Sequence, residues 1–264
     1  MAAGEVSLEE VAVEAVELGF DYIELHEATV AGERGARRAS ALLGESNLRV
    51  SQLTSGTDFV SPDVSDRKTN AEQGAKLVAM AAELGATNIR IVSGLERAGV
   101  SREDALGWAV EGMVAMGEAA KVAGVRLQLE NHYRDRMWPE GDLDFARDPE
   151  VWLELLSRLP RDAVSVNFDT GQPMVMRTDP VSLLDKVLDR VGYVHAGDRK
   201  WGAREHSTIG EGDVDFRAIL GRLAKSGYDG FIALEDATTW GREALMRSSQ
   251  FLRSEIARAW SAAE

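Results

Sequence analysis

The chain has 264 residues, 44% of them hydrophobic, with 30 Lys and Arg against 44 Asp and Glu for a net charge of −14. That length allows one large barrel or two small domains, and the negative charge opposes binding to a nucleic-acid backbone, which draws on Lys and Arg to neutralise phosphates. The absence of cysteine excludes disulfides, thiolate catalysis and cysteine-based zinc or iron–sulfur sites, leaving His and carboxylates as the strong metal ligands.

Ser7 opens the first helix as its N-cap, with Glu10 three residues on completing a capping box. Short β-rich runs then alternate with stretches of helical period. The strands are expected at Asp21 to Leu25, Leu48 to Ser55, Asn88 to Ser93, Val125 to Asn131, Ala163 to Asp169, Gly192 to Ala196 and Phe231 to Asp236. Apolar residues at i, i+3 and i+4 predict helices over Asn70 to Leu84, Arg102 to Ala123, Pro149 to Leu159, Pro180 to Arg190 and Phe216 to Lys225. Gly19, Gly85 and Gly227 sit where helices end before a strand and supply the left-handed cap.

Strand–helix repetition implies parallel pairing with right-handed crossovers, and this many units favours closure into a (β/α)8 TIM-type barrel formed by residues 1–264 as one domain. The first of the eight strands is expected to be lacking or truncated. A chain truncated at its start, a barrel open beside the DYIEL strand, and a partner covering that edge are all compatible with the sequence. No run of about 18 apolar residues occurs, so no membrane span is expected. The opening MAAGEVSLEE lacks the order of a signal peptide, and a cytoplasmic protein is the expectation.

The four histidines, His26, His132, His195 and His206, all map to C-terminal strand ends, the face that carries the active site in parallel barrels. Glu130, Asp169 and Glu235 each terminate an apolar strand, where an unpaired charge is costly to bury. One divalent cation ringed by these three carboxylates and His195 compensates them. Hard oxygen ligands with one imidazole suit manganese first, with magnesium, cobalt or iron(II) as the other choices. The competing structural explanation, ion pairs with basic residues, has only Arg90 and Arg126 within strands to draw on.

The segments LQLENH, NFDTGQ, VHAGDRK, HSTIGEGDVDF and GFIALED together resemble the sugar phosphate isomerase/epimerase family, whose barrel is like that of xylose isomerase. The resemblance covers nearly the whole chain. It implies that Glu130, Asp169, His195 and Glu235 are metal ligands and that Glu130 and Glu235 are also the acid/base pair acting on a carbon next to a sugar carbonyl. The substrate is then a small sugar or polyol. Two departures stand out. Gln172 occupies a position where many relatives have His, and Arg199 or Lys200 must serve for a lysine usual two residues after the histidine ligand, although Asp198 matches. Gln172 and Arg204 also do not provide the extra ligands of the apurinic endonucleases that share this barrel, which disfavours a multi-zinc nuclease.

His132, Gln172, Asp198 and His206 are candidates for contact with sugar hydroxyls, and Trp138 and Trp201 for walling off a sugar ring. For His132 and His206 an orienting or loop-capping role is the bland alternative. The IGEGD glycines read as a tight turn rather than a phosphate loop. Three functions follow in order: a metal-dependent isomerase or epimerase of a keto-sugar; a lyase on the same scaffold, an inosose-type dehydratase or a β-eliminating enzyme of 3-keto sugars; and a carbohydrate-binding accessory subunit. The resemblance is compatible with a homo-oligomer through outer helices, and no surface stripe marks the interface.

Overall fold

A computed structural model of the chain describes residues 7–32, 35–134, 143–235 and 241–263. The chain divides into two compact units. The first comprises residues 1–129, 136–145 and 154–165, the second residues 130–135, 146–153 and 166–264.

The first unit begins with α1 (Leu8–Glu17), and the capping box forms as expected: the Ser7 amide donates to Glu10 Oε2 at 2.8 Å and the Glu10 amide to Ser7 Oγ at 3.2 Å. Among the described residues no strand precedes α1. Strands β1 (Tyr22–His26), β2 (Arg49–Thr54), β3 (Asn88–Ile91) and β4 (Arg126–Glu130) pair in parallel and in chain order. Each lies within a residue or two of its expected bounds. Between them run α2 (Gly35–Glu45), α3 (Val64–Leu84) and α4 (Arg102–Val122), and a 3-10 turn over Glu27–Val30 follows β1.

Two helices differ from expectation. The helix α2 was not legible because its buried stripe is Ala36, Ala39 and Leu43, mostly small residues with weak contrast against Arg37 and Arg38. The helix α3 starts six residues before Asn70, where VSDRKT has no apolar period; the Asp63 side chain fixes the start by accepting the Ser65 amide at 2.7 Å. The core of this unit is built on Leu53, Ile89, Ile91, Leu127 and Leu129, all fully buried. Parallel strands buried on both faces give such near-continuous apolar runs.

Helix α5 (Pro149–Arg158) and strand β5 (Val164–Asp169) straddle the division. In the second unit β5, β6 (Val191–Ala196) and β9 (Phe231–Leu234) pair in parallel; β7 (Asp198–Arg199) and β8 (His206–Ser207) form a small antiparallel ribbon between the last two in sequence. The helices are α6 (Gln172–Val175), α7 (Pro180–Asp185), α8 (Phe216–Lys225) and α9 (Gly241–Ser261). The helix expected to Arg190 ends at Asp185, because Lys186 and Val187 bond to carbonyls three residues back and tighten the last turn; a 3-10 turn over Leu188–Arg190 follows. Gly19, Gly85 and Gly227 all take positive φ, near +72° to +74°. Among the described residues no helix is long and apolar enough to cross a membrane.

Candidate metal centre

The second unit contains the four expected ligands. Parallel strands place their C-terminal ends on one edge, so strand-terminal residues become neighbours. Asp169 ends β5 and sits in register with His195 of β6; Glu130 ends β4; Glu235 follows β9 directly, its amide bonded to the Ala196 carbonyl at 3.0 Å. One ligand atom from each of the four lies within 4.8 Å of the others.

Asp169 is the most constrained member. Its amide donates to Asn131 Oδ1 at 2.7 Å, and Asn131 Nδ2 donates back to the Asp169 carbonyl at 2.9 Å. Its Oδ1 accepts the amides of Gly171 at 2.6 Å and Gln172 at 2.7 Å. Its Oδ2 is sealed from solvent and has no hydrogen-bond partner among the described residues. Burial, then the charges of Glu235 and Glu130, push the Asp169 carboxyl well above the usual carboxylate range; His195 and Arg199 oppose the shift.

The His195 ring is buried, and its Nδ1 lies 2.7 Å from Glu130 Oε1 and 2.9 Å from Glu235 Oε2. One ring nitrogen carries one hydrogen at most and cannot donate fully to both carboxylates. Asn167 Nδ2 approaches the ring within 3.2 Å, and Tyr193 packs edge-on against it at 5.7 Å between centroids. Three carboxylates crowded on one imidazole, with a buried carboxylate oxygen lacking any partner, fit a divalent cation. Two Glu, one Asp and one His are the donors such an ion takes.

The other candidates fall into different places. Gln172 is buried beside Asp169, and His132 is half-buried two residues beyond Glu130. The Asp198 carboxylate accepts four backbone amides, from Arg199, Gly210, Gly212 and Val214, at 2.8 to 3.2 Å, and so anchors the loop beyond β8. Gly212 permits this, because a Cβ there would overlap the Asp198 carboxylate.

His206 Nε2 lies 2.6 Å from Arg199 Nη2. Arginine can only donate, so His206 accepts at Nε2 and keeps its proton on Nδ1. Of the two basic residues considered for the missing lysine, Arg199 is 94% buried and feels the charges of Asp169 and Glu235, whereas Lys200 pairs with Asp213 at 3.0 Å. Trp201 is 47% exposed and its amide donates to Asp213; Trp138 lies outside the described residues. His26 belongs to the first unit, where its Nδ1 caps the 3-10 turn by accepting the Ala28 amide.

Asn131 and Thr170 were missed from sequence. Thr170 Oγ1 donates to the Gly197 carbonyl at 2.6 Å and accepts the Gly197 amide at 3.0 Å, which ties the turns after β5 and β6 together. The available signal was position alone, a polar residue immediately after each acidic ligand.

A parallel β/α chain whose strand ends bring together a carboxylate–histidine cluster able to hold a cation is the class of protein defined here. More particularly, the chain belongs to the xylose isomerase-like TIM barrel family, whose sequence profile matches residues 12–255. It is 28% identical over 206 residues to a ketose 3-epimerase of Arthrobacter globiformis, covering 75% of this chain and 66% of that one. It is 24% identical over 141 residues to an inosose dehydratase of Lacticaseibacillus casei, covering 47% of this chain. That match spans 44% of the dehydratase, less than half its length. Among solved structures, a D-tagatose 3-epimerase-like protein superposes with a TM-score of 0.81 at 21% identity over 98% of this chain and 96% of that one. A D-psicose 3-epimerase from Clostridium cellulolyticum H10 gives 0.76 at 16% identity, over 97% and 94%. At these identities the structural likeness speaks to fold.

Proposed function

We propose that the chain is a divalent-metal-dependent isomerase or epimerase that moves a proton at the carbon next to the carbonyl of a keto-sugar or related polyol ketone, with residues 1–264 acting as one domain. The observation that carries this reading is the convergence of Glu130, Asp169, His195 and Glu235 within 4.8 Å around a sealed Asp169 oxygen with no hydrogen-bond partner among the described residues. These four residues would hold the ion, manganese by preference, and when bound it would polarise the substrate carbonyl and stabilise the charge left by loss of the adjacent proton.

The protein side divides the work. Asp169 is pinned by two amides on Oδ1 and by Asn131 at its backbone, which suits it to holding rather than to shuttling a proton. Glu130 and Glu235 are not pinned by the α6 amides, and two carboxylates are what an exchange of one proton for another at a carbon requires. The Glu130 side chain is 1% exposed and that of Glu235 37%, so Glu235 is the one that can trade its proton with solvent. Arg199 places a buried cation near the cluster, suited to an oxygen of the substrate. The ketose 3-epimerase relative supports this reaction class.

A lyase is the second reading. The inosose dehydratase relative belongs to that chemistry by name, and His132 or His206 as leaving-group acid would favour it. Both reactions begin by removing the same proton; isomerisation conserves substrate mass, and dehydration releases water. A carbohydrate-binding accessory role has no use for four converging ligands, and turnover by a monomer would remove it.

The test is metal content by mass spectrometry on protein purified without chelator, with a proton-exchange assay in deuterated water on a panel of keto-sugars. About one ion per chain, with exchange lost in Glu235→Gln, is expected. No ion and no exchange would overturn the reading.

A further inference from the structure

Beside the candidate metal centre the second unit has a small, partly open pocket whose walls include Asn131, Tyr133, Arg147, Trp152, Gln172 and Met176, with a free interior of about 10 Å³. Two of its walls carry buried polar atoms without a hydrogen-bond partner among the described residues, Trp152 Nε1 and Gln172 Oε1. Trp152 is 1% exposed and Gln172 6%. Buried indole N–H and amide carbonyl groups are nearly always satisfied, because leaving one dry costs about 1–3 kcal/mol. Here a donor and an acceptor line one cavity, which has room for a single water-sized group. Of the other polar walls, Asn131 is committed to the Asp169 backbone, and Tyr133 and Arg147 have interactions of their own.

We propose that this pocket holds one ordered water that accepts from Trp152 Nε1 and donates to Gln172 Oε1, making Trp152 a positioning residue for the Gln172 amide. A free interior of about 10 Å³ is the room of about one water. The consequence lies at the other end of the amide. Gln172 Nε2, unlike Oε1, is not sealed from solvent. An amide can present either its oxygen or its nitrogen, and the water fixes the oxygen inward, so Gln172 offers an N–H donor to the centre. The group it recognises is therefore an oxygen acceptor of the substrate, a carbonyl or a hydroxyl accepting a hydrogen bond. Gln172 is joined to the cation site through its own backbone, whose amide is bonded to Asp169 Oδ1 at 2.7 Å.

The occupant stands independently of any reaction; only the recognised oxygen rests on the proposed function. Crystal structures of the wild type, Trp152→Phe and Gln172→Met test the two parts separately. A single density peak at hydrogen-bond distance from both atoms in the wild type, absent in both variants, with a turned or disordered Gln172 amide in Trp152→Phe, is the expected result. An empty pocket, or an amide unmoved in Trp152→Phe, would overturn the proposal. If Trp152→Phe does not fold, loss of the peak in Gln172→Met decides the same point. Where a substrate is in hand, each single variant lowers kcat/KM about fivefold to tenfold, mainly through KM, and the double variant falls no further than the worse single. Additive losses would show that the two residues act apart.

Discussion

Replacing Asp169 by Asn separates a cation ligand from a structural carboxylate. The three carboxylates of the cluster offer atoms within 4.8 Å of one another, which at an effective dielectric of about 20 is a repulsion of about 3 kcal/mol per ionised pair. Without metal, proton uptake caps that cost, since burial and its neighbours push the Asp169 carboxyl up. Asn retains an Oδ1 for the Gly171 and Gln172 amides and turns a donor toward the glutamates. Metal-free Asp169→Asn is therefore expected to be more stable than metal-free wild type by about 1–2 kcal/mol, a rise of about 2–8 °C in Tm for a chain of this size.

The metal response goes the other way. Wild type at a manganese concentration of about 100 Kd gains about 2.7 kcal/mol, and the variant loses most of that gain. A carboxyl whose folded pKa is raised contributes stability that is full below its ordinary value, 3.8, and is lost as pH rises through the raised value. Metal-free wild type thus weakens as pH climbs out of the acid range, and the variant does not share that loss. Thermal melts with and without manganese, at acid and neutral pH, read all three effects. A metal-free Tm lowered by the substitution, or an undiminished manganese response, would refute the reasoning.

The loop after β8 is held by the Asp198 carboxylate on four amides, so Asp198→Ala is expected to cost about 2–4 kcal/mol and to open residues 209–214 to amide exchange. Gly212→Ala forces a Cβ onto that carboxylate and should expose the same loop to exchange; an unchanged exchange pattern would show that the anchor is not needed. Arg199→Lys removes the contact to His206 while keeping the charge, and kcat/KM is expected to drop about tenfold or more with the melt near wild type. Leu127→Ala, at a fully buried position of the first unit, should lower stability by about 2–5 kcal/mol by chemical denaturation and leave bound metal at one ion per chain.

Sequence alone determined the strand–helix alternation, the strand bounds to within a residue or two and the four residues that converge as a candidate cation site. The physical reason is that each of these is a local property. Parallel strands are apolar throughout, glycine favours positive φ before the next strand, and a carboxylate ending an apolar run has no local explanation. Tertiary structure decided the rest. Helix α2 is apolar only in the sense that Ala36 and Ala39 are small enough to pack closely, and the end of α7 is set by its own tightened last turn. Asp198 resembles a substrate contact in sequence, yet it is spent on amides up to 16 residues away; Arg199 next to it is buried toward the ligands while Lys200 turns to Asp213. Asn131 and Thr170 act through partners 38 and 27 positions distant, counted to Asp169 and Gly197. Spacing along the chain carries no trace of such pairings, because they arise only when strand ends from separate repeats are brought to one edge.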